Sequence, residues 1–234
     1  MTLALVGTGI CFDLTLSAMD ALRSADLIYI ETYTNLIEGG KISRLEILLG
    51  KKVEVVPREK VEGSFLVEKA KESEVCLLSS GDPLSATTHI SLMMDCMEKG
   101  INTKVIHNSS VYSVAAGASG LQIYRFGKTA SLVNPREGYN PTSSLDVIRK
   151  NLECNMHSLI LLDTEPEPMD SKAALGMLYE FESAVILSRL GEADQKVTFG
   201  KISDLLEKDL GRAPFSIIIP AKLHPMEEEY LELL

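Results

Sequence analysis

Short apolar runs alternate with amphipathic stretches along the first half of the chain, and this alternation limits the fold more than any other feature. Residues 3–6 form an apolar run closed by Gly7, the pattern of a buried strand. Leu14, Ala18, Leu22 and Ala25 then recur at helical spacing, with Asp13 or Thr15 available as the N-cap. Strands follow at 27–30 and 53–56, the second stopped by Pro57, with a short helix at 42–49 between them ended by Gly50. A helical pattern at 65–71 leads to a fourth strand at 75–78. Thr87 or Thr88 can cap a helix running to about Lys99, and 103–106 is a fifth strand. Such a βαβα series predicts a parallel sheet covered by helices.

The second half changes character. Residues 111–118 are small and apolar, suited to a closely packed helix. Strands are predicted at 129–133, 158–162, 184–188, 196–199 and 216–219, with helices at 145–152, 173–181 and 202–210. In a closing helix at 225–234, Pro225 fits the first turn, and Glu227, Glu228 and Glu229 complement the positive dipole end. The break falls near 108–122. The expectation is an α/β protein of two domains: residues 1–112 with a mostly parallel sheet, and residues 113–234 with a mixed sheet. A ligand cleft is expected between them.

Charge and cysteine usage remove several function classes. Net charge is −10 with a pI of about 5.0, and no basic run offsets it, so nucleic-acid binding is not expected. Cys11, Cys76, Cys96 and Cys154 form no CxxC pair, and His89, His107, His157 and His224 show no ligand spacing; no metal site is expected. The N-terminus lacks a basic leader region and no apolar run reaches a membrane span, so a soluble cytoplasmic protein is expected.

Gly7-Thr8-Gly9 follows the first strand, but Phe12 stands where a dinucleotide fingerprint needs its third glycine. Glu31, near the position of a ribose-binding acid, keeps a nicotinamide-dependent oxidoreductase open as a rival. Residues 79–89, SSGDPLSATTH, are a denser signal at the end of the fourth strand, where open α/β sheets bind ligands. Asp82 can meet a positive charge there, or simply close its own turn. Residues 107–111, HNSSV, occupy the same place after the fifth strand. Arg125, in YRFG, is either a solvated residue or faces an anion in the cleft. No Ser-His-Asp or Cys-His set is evident.

Beyond these features the chain resembles the diphthine synthase branch of the tetrapyrrole methylase fold family. The carriers are VGTGI, IETYT at 30–34, GDPLSATTH at 81–89, GLQIYRFGK at 120–128 and IIIPAKLHPMEEEYL at 217–231. GxG and GDP mark the wider fold family; the ATTH extension, YRFG and the KLH ending are specific to the branch. The resemblance implies S-adenosylmethionine (SAM) bound between two α/β domains and released as S-adenosylhomocysteine. The matching contacts are Ile10, Asp82, Ser85, Ser110, Val111, Leu162, Leu190 and Phe215, several through the backbone. It also implies N-methylation of a 3-amino-3-carboxypropyl-histidine on elongation factor 2, in diphthamide biosynthesis, by a homodimer. No catalytic residue is assigned.

The chain departs from the branch in places. Phe215 stands where relatives commonly carry histidine, Ala115-Ala116 includes an extra residue, the stretch 164–182 is short, and PAKLH has alanine for glycine. A methylase of a corrin or porphyrin precursor is the nearest alternative.

Overall fold

The computed structural model describes residues 1–37, 39–135 and 142–234. The chain divides into two compact units, Met1–Val111 and Tyr112–Leu234.

The first unit carries five strands: β1 (Thr2–Gly7), β2 (Leu27–Glu31), β3 (Glu54–Val56), β4 (Val75–Ser79) and β5 (Asn102–Ile106). All pair in parallel, in the order β3-β2-β4-β1-β5. Their helices are α1 (Leu16–Ser24), α2 (Gly39–Leu49), α3 (Arg58–Glu62), α4 (Phe65–Lys69) and α5 (Ile90–Glu98). The near-continuous apolar strands are explained by two covered faces. Ala4, Val6, Ile28, Ile30, Cys76 and Leu78 pack with Ala18 and Leu22 of α1 on one face. Leu3, Leu5, Tyr29, Val75 and Leu77 pack with Leu66 and Val67 of α4 and Leu92 and Cys96 of α5 on the other. Burying a leucine such as Leu22 completely contributes roughly 1.5–3 kcal/mol.

Thr15, of the two candidates, caps α1, its hydroxyl accepting from the Ala18 N–H at 3.1 Å. Neither Thr87 nor Thr88 caps α5: the Thr87 hydroxyl donates to the Pro83 carbonyl, and Thr88 reaches Glu62. α3 is absent from the sequence expectation because its five residues bury only Val61, too few for a helical period to register.

The second unit opens with α6 (Val111–Ser119), whose first residue belongs to the preceding unit, and a 3-10 turn at Ile123–Arg125. Strands β6 (Ala130–Leu132), β7 (Ser158–Leu162), β8 (Ser183–Ser188), β9 (Lys196–Lys201) and β10 (Phe215–Ile219) follow, with α7 (Ser143–Glu153), α8 (Ser171–Met177), α9 (Ile202–Leu205) and α10 (Pro225–Leu231). The sheet order is β6-β7-β10-β8-β9; β6 and β7 are parallel and the other pairs antiparallel, a mixed sheet. Ile148, Ile160, Leu175, Ile186 and Ile217 centre its core. α9 is shorter than its apolar pattern suggests. After Leu205 the chain tightens into successive turns toward Gly211, and Leu210 is buried outside the helix.

Candidate active site

Three loops leave the carboxyl edge of the first sheet from adjacent strands: 8–15 after β1, 80–89 after β4 and 107–110 after β5. β1 and β4 are neighbours, yet α1 and α5, which follow them, pack on opposite faces. Their loops must part, and a parting of this kind is where open parallel sheets form a ligand crevice.

The loops are held close by their backbones. The Gly9 N–H donates to the Gly81 carbonyl at 3.0 Å, and the Gly81 N–H returns the bond at 3.1 Å. Gly7 has no alternative here, because a Cβ on it would lie 2.5 Å from the Gly81 carbonyl oxygen. The Asn108 amide donates to the carbonyls of Gly7 at 3.2 Å and Asp13 at 2.8 Å, and the Ile10 N–H donates to the Ser109 hydroxyl at 3.3 Å.

Asp82 is the hub. Its Oδ1 accepts from the Leu84 N–H at 3.0 Å and the Ser85 hydroxyl at 3.4 Å; its Oδ2 accepts from His107 Nδ1 at 2.7 Å and the Asn108 N–H at 3.2 Å. Burial pushes this carboxyl up, but the Leu84 N–H, His107 and the Asn108 N–H outweigh it and hold the group below its ordinary value. A carboxylate offers about four lone-pair positions. Protein donors engage both oxygens twice, so Asp82 acts chiefly by fixing the loops.

Two further residues of the same edge are structural. His89 is buried; its Nδ1 donates to the Pro83 carbonyl at 2.9 Å, and Nε2 meets the Tyr33 hydroxyl at 3.2 Å. Glu31 is completely buried and accepts from the N–H groups of Tyr33 and Thr34, both at 3.1 Å, and from the Thr34 hydroxyl. It therefore folds its own IETYT turn and is not open to a ribose.

Ile10, Asp82, Ser85 and Ser110 thus lie in the three loops, and Val111 follows directly. The other three predicted contacts gather at one edge of the second sheet. Leu162 ends β7, Phe215 begins the antiparallel β10, and Leu190 follows β8; Phe215 is in register with Ser188, and Ser216 with Leu161. Leu162 and Phe215 pack against the core, and the Arg189 N–H donates to the Pro214 carbonyl at 2.9 Å. Of the four non-glycine residues with left-handed backbone among the described residues, all but Asn155 lie at these positions. Phe12 (φ 65°) lies two residues from Ile10, Ala86 (φ 57°) beside Ser85, and Arg189 (φ 50°) beside Leu190. Such conformations persist where the surroundings hold them, commonly at binding sites.

The other family segments form a separate cluster within the second unit. Arg125 does face an anion, but that anion is Glu227 of the same unit: Nη1 pairs with Oε2, and Nη2 donates to the Lys222 carbonyl at 2.5 Å. Glu227 also accepts from the Gln122 N–H at 3.0 Å, the His224 N–H at 2.8 Å and His157 Nε2 at 3.2 Å. His157 is fully buried, and its Nδ1 accepts from the Ala221 N–H at 2.9 Å. Burial, outweighing Glu227, keeps the imidazole below its ordinary pKa. Gly120 (φ +70°) passes so close to Tyr230 that a Cβ would lie 2.1 Å from its ring. In the sequence Glu227 reads only as a dipole charge beside Glu228 and Glu229, and its buried role is not visible. The spacing from Arg125 to Glu227 spans 102 positions and carries no local signal.

The three loops contain two aspartates, Asp13 and Asp82, and neither lysine nor arginine. That charge suits a sulfonium cation and opposes the pyrophosphate of a dinucleotide. The hydroxyls of Ser85, Ser109 and Ser110 add hydrogen-bonding groups that a polar cofactor can use, so by charge and chemistry the residues present fit SAM. Among the described residues, no group of three or more His, Cys, Asp or Glu is placed to hold a metal ion, and no helix is long and apolar enough to cross a membrane.

Residues 2–206 match the family of tetrapyrrole (corrin/porphyrin) methylases. The diphthine synthase of Methanocaldococcus jannaschii is 40% identical, covering 95% of this chain and 93% of that protein. That of Methanococcus maripaludis strain C5 is 38% identical over the same shares. A crystal structure of diphthine synthase superposes with a TM-score of 0.92 at 33% identity, covering 100% of this chain and 95% of that one. The chain therefore belongs to the tetrapyrrole methylase family, on its diphthine synthase branch.

Proposed function

We propose that this methyltransferase uses SAM to methylate the amine of the 3-amino-3-carboxypropyl group on a histidine of elongation factor 2, yielding diphthine in diphthamide biosynthesis. The observation that carries this is similarity to diphthine synthases over 95% of the chain, joined to loops at the ends of β1, β4 and β5 that carry two aspartates and no lysine or arginine. Ile10, Asp82, Ser85, Ser110, Val111, Leu162, Leu190 and Phe215 are the residues that would hold SAM. Bound SAM supplies a methyl group already activated by the sulfonium charge. The chain's task is then to align the acceptor and exclude water, effects worth about 7–11 kcal/mol in favourable cases. The substrate places the protein in the cytoplasm, and we take the acting species to be a homodimer.

Incubating the protein with methyl-labelled SAM and elongation factor 2 carrying the unmethylated intermediate tests this directly. Label should enter that histidine and no other site. Label entering a corrin or porphyrin precursor, with none in the elongation factor, would favour the nearest alternative.

A further inference from the structure

The amine acceptor must lose a proton before it can take a methyl group, and the structure offers one group suited to receive it. The geometry points to His107 as the general base, with Asp82 as its positioning residue. This role rests on the function proposed above.

A carboxylate can only accept, so the 2.7 Å contact between Asp82 Oδ2 and His107 Nδ1 places the imidazole proton on Nδ1. In the neutral ring Nε2 then keeps its lone pair. The Asp82 oxygen is itself fixed, because the Asn108 N–H donates to it and the Leu84 N–H holds its sister oxygen. A buried carboxylate therefore orients an imidazole whose side chain is 68% exposed, at the crevice edge beside Ser109 and Ser110. This is the base-plus-orienter arrangement that general-base catalysis requires.

Three other acid–base groups of this edge are engaged within the fold. His89 has both ring nitrogens in contacts within the fold. Glu31 is completely buried in its own turn, and Asp82 is spent on its four donors. Asp13 is exposed and, unlike His107, has no carboxylate in hydrogen-bond contact to orient it among the described residues. Among the described residues, Asp82 is the one charged side chain in hydrogen-bond contact with His107.

The proton step balances simply. The ammonium N–H bond breaks, its electron pair stays on nitrogen, and the proton forms the Nε2–H bond. The resulting imidazolium lies against the Asp82 carboxylate, and water removes the proton afterwards. The same step serves each secondary or tertiary ammonium that still carries a proton. A quaternary product has none, so the base has no further role there.

Three measurements test this. In the SAM-free protein, imidazole nitrogen NMR should find His107 in the Nδ1–H form, and Asp82→Asn should shift it toward a mixture. His107→Asn keeps a donor toward Asp82 but has no basic nitrogen. It should bind SAM within about threefold of the wild type while methyl transfer falls by about 10²–10⁴-fold. His107→Ala should recover part of its activity with added imidazole. Wild-type transfer rates in His107→Asn, or an Nε2–H tautomer in the wild type, would overturn the assignment while leaving the proposed function intact. A wild-type protein that binds SAM but leaves the elongation factor unlabelled would overturn the function, and the base with it.

Discussion

The molecule uses the same chemical pair, a carboxylate and a histidine, to opposite ends in its two units. In the first, Asp82 holds His107 by Nδ1 and leaves the ring open to solvent. In the second, Glu227 accepts a hydrogen bond from the His157 Nε2–H, while the Ala221 N–H fills Nδ1 and burial removes the ring from water. The two histidines therefore hold opposite tautomers. One retains a usable lone pair; the other has none left. The contrast teaches that a buried carboxylate contact alone does not mark an active site. What matters is whether the partner keeps a free valence facing solvent.

Breaking the sealed pair should have the largest effect. Glu227→Ala strands Arg125, His157 and two backbone donors together, and a charge left unpaired in such a place costs about 3–5 kcal/mol. Urea denaturation should show that loss, and a midpoint near the wild type would mean the cluster is dispensable.

Asp82→Ala should cost less stability, about 1–3 kcal/mol from the donors it releases, because His107 can turn to water. Its main consequence should fall on SAM, since the three loops lose their common tie. A folded variant with normal SAM affinity would show that Asp82 closes only its own turn.

Acid should separate the pairs further. The folded-state pKa of His157 lies below its unfolded value, so the unfolded chain takes up the proton first. Stability is then complete above the ordinary imidazole pKa, about 6.5, and is lost as pH falls through it toward the depressed value. Glu227 and Asp82, both also depressed, add losses lower down, in the carboxylate range. Denaturation midpoints at pH 7.5 and 5.5 check this; equal midpoints would contradict the sealed, neutral imidazole.

Phe215→His should have the smallest effect. Phe215 is fixed by strand pairing with Ser188 and packs against the core. If its backbone makes the contact, restoring histidine should leave SAM affinity within about tenfold, or about 1.4 kcal/mol. A gain of several hundredfold would show that the imidazole itself matters.

The sequence carried the parallel half well because its strands are apolar on both faces and punctuated by Gly7, Gly50 and Pro57. Two covered faces leave little ambiguity. The site loops were visible too, since Gly7-Thr8-Gly9 and 79–89 sit at strand ends. The five-residue α3 was not legible, because one buried residue sets no period, while α9 was legible but four residues long instead of the nine its apolar pattern suggests. The roles of Glu31 and Glu227 were hidden for another reason. A glutamate in a polar run looks solvated until the distant residues that bury it are known. His107 was legible only as a residue after a strand; its pairing with Asp82 spans 25 positions.

By their charge, the loops at the ends of β1, β4 and β5 suit a sulfonium cofactor and oppose a dinucleotide. Calorimetric titration of the purified protein with SAM, S-adenosylhomocysteine and NAD tests this most directly. The expected result is one site per chain for each of the first two and no heat of binding for NAD. NAD binding without SAM binding would contradict the account.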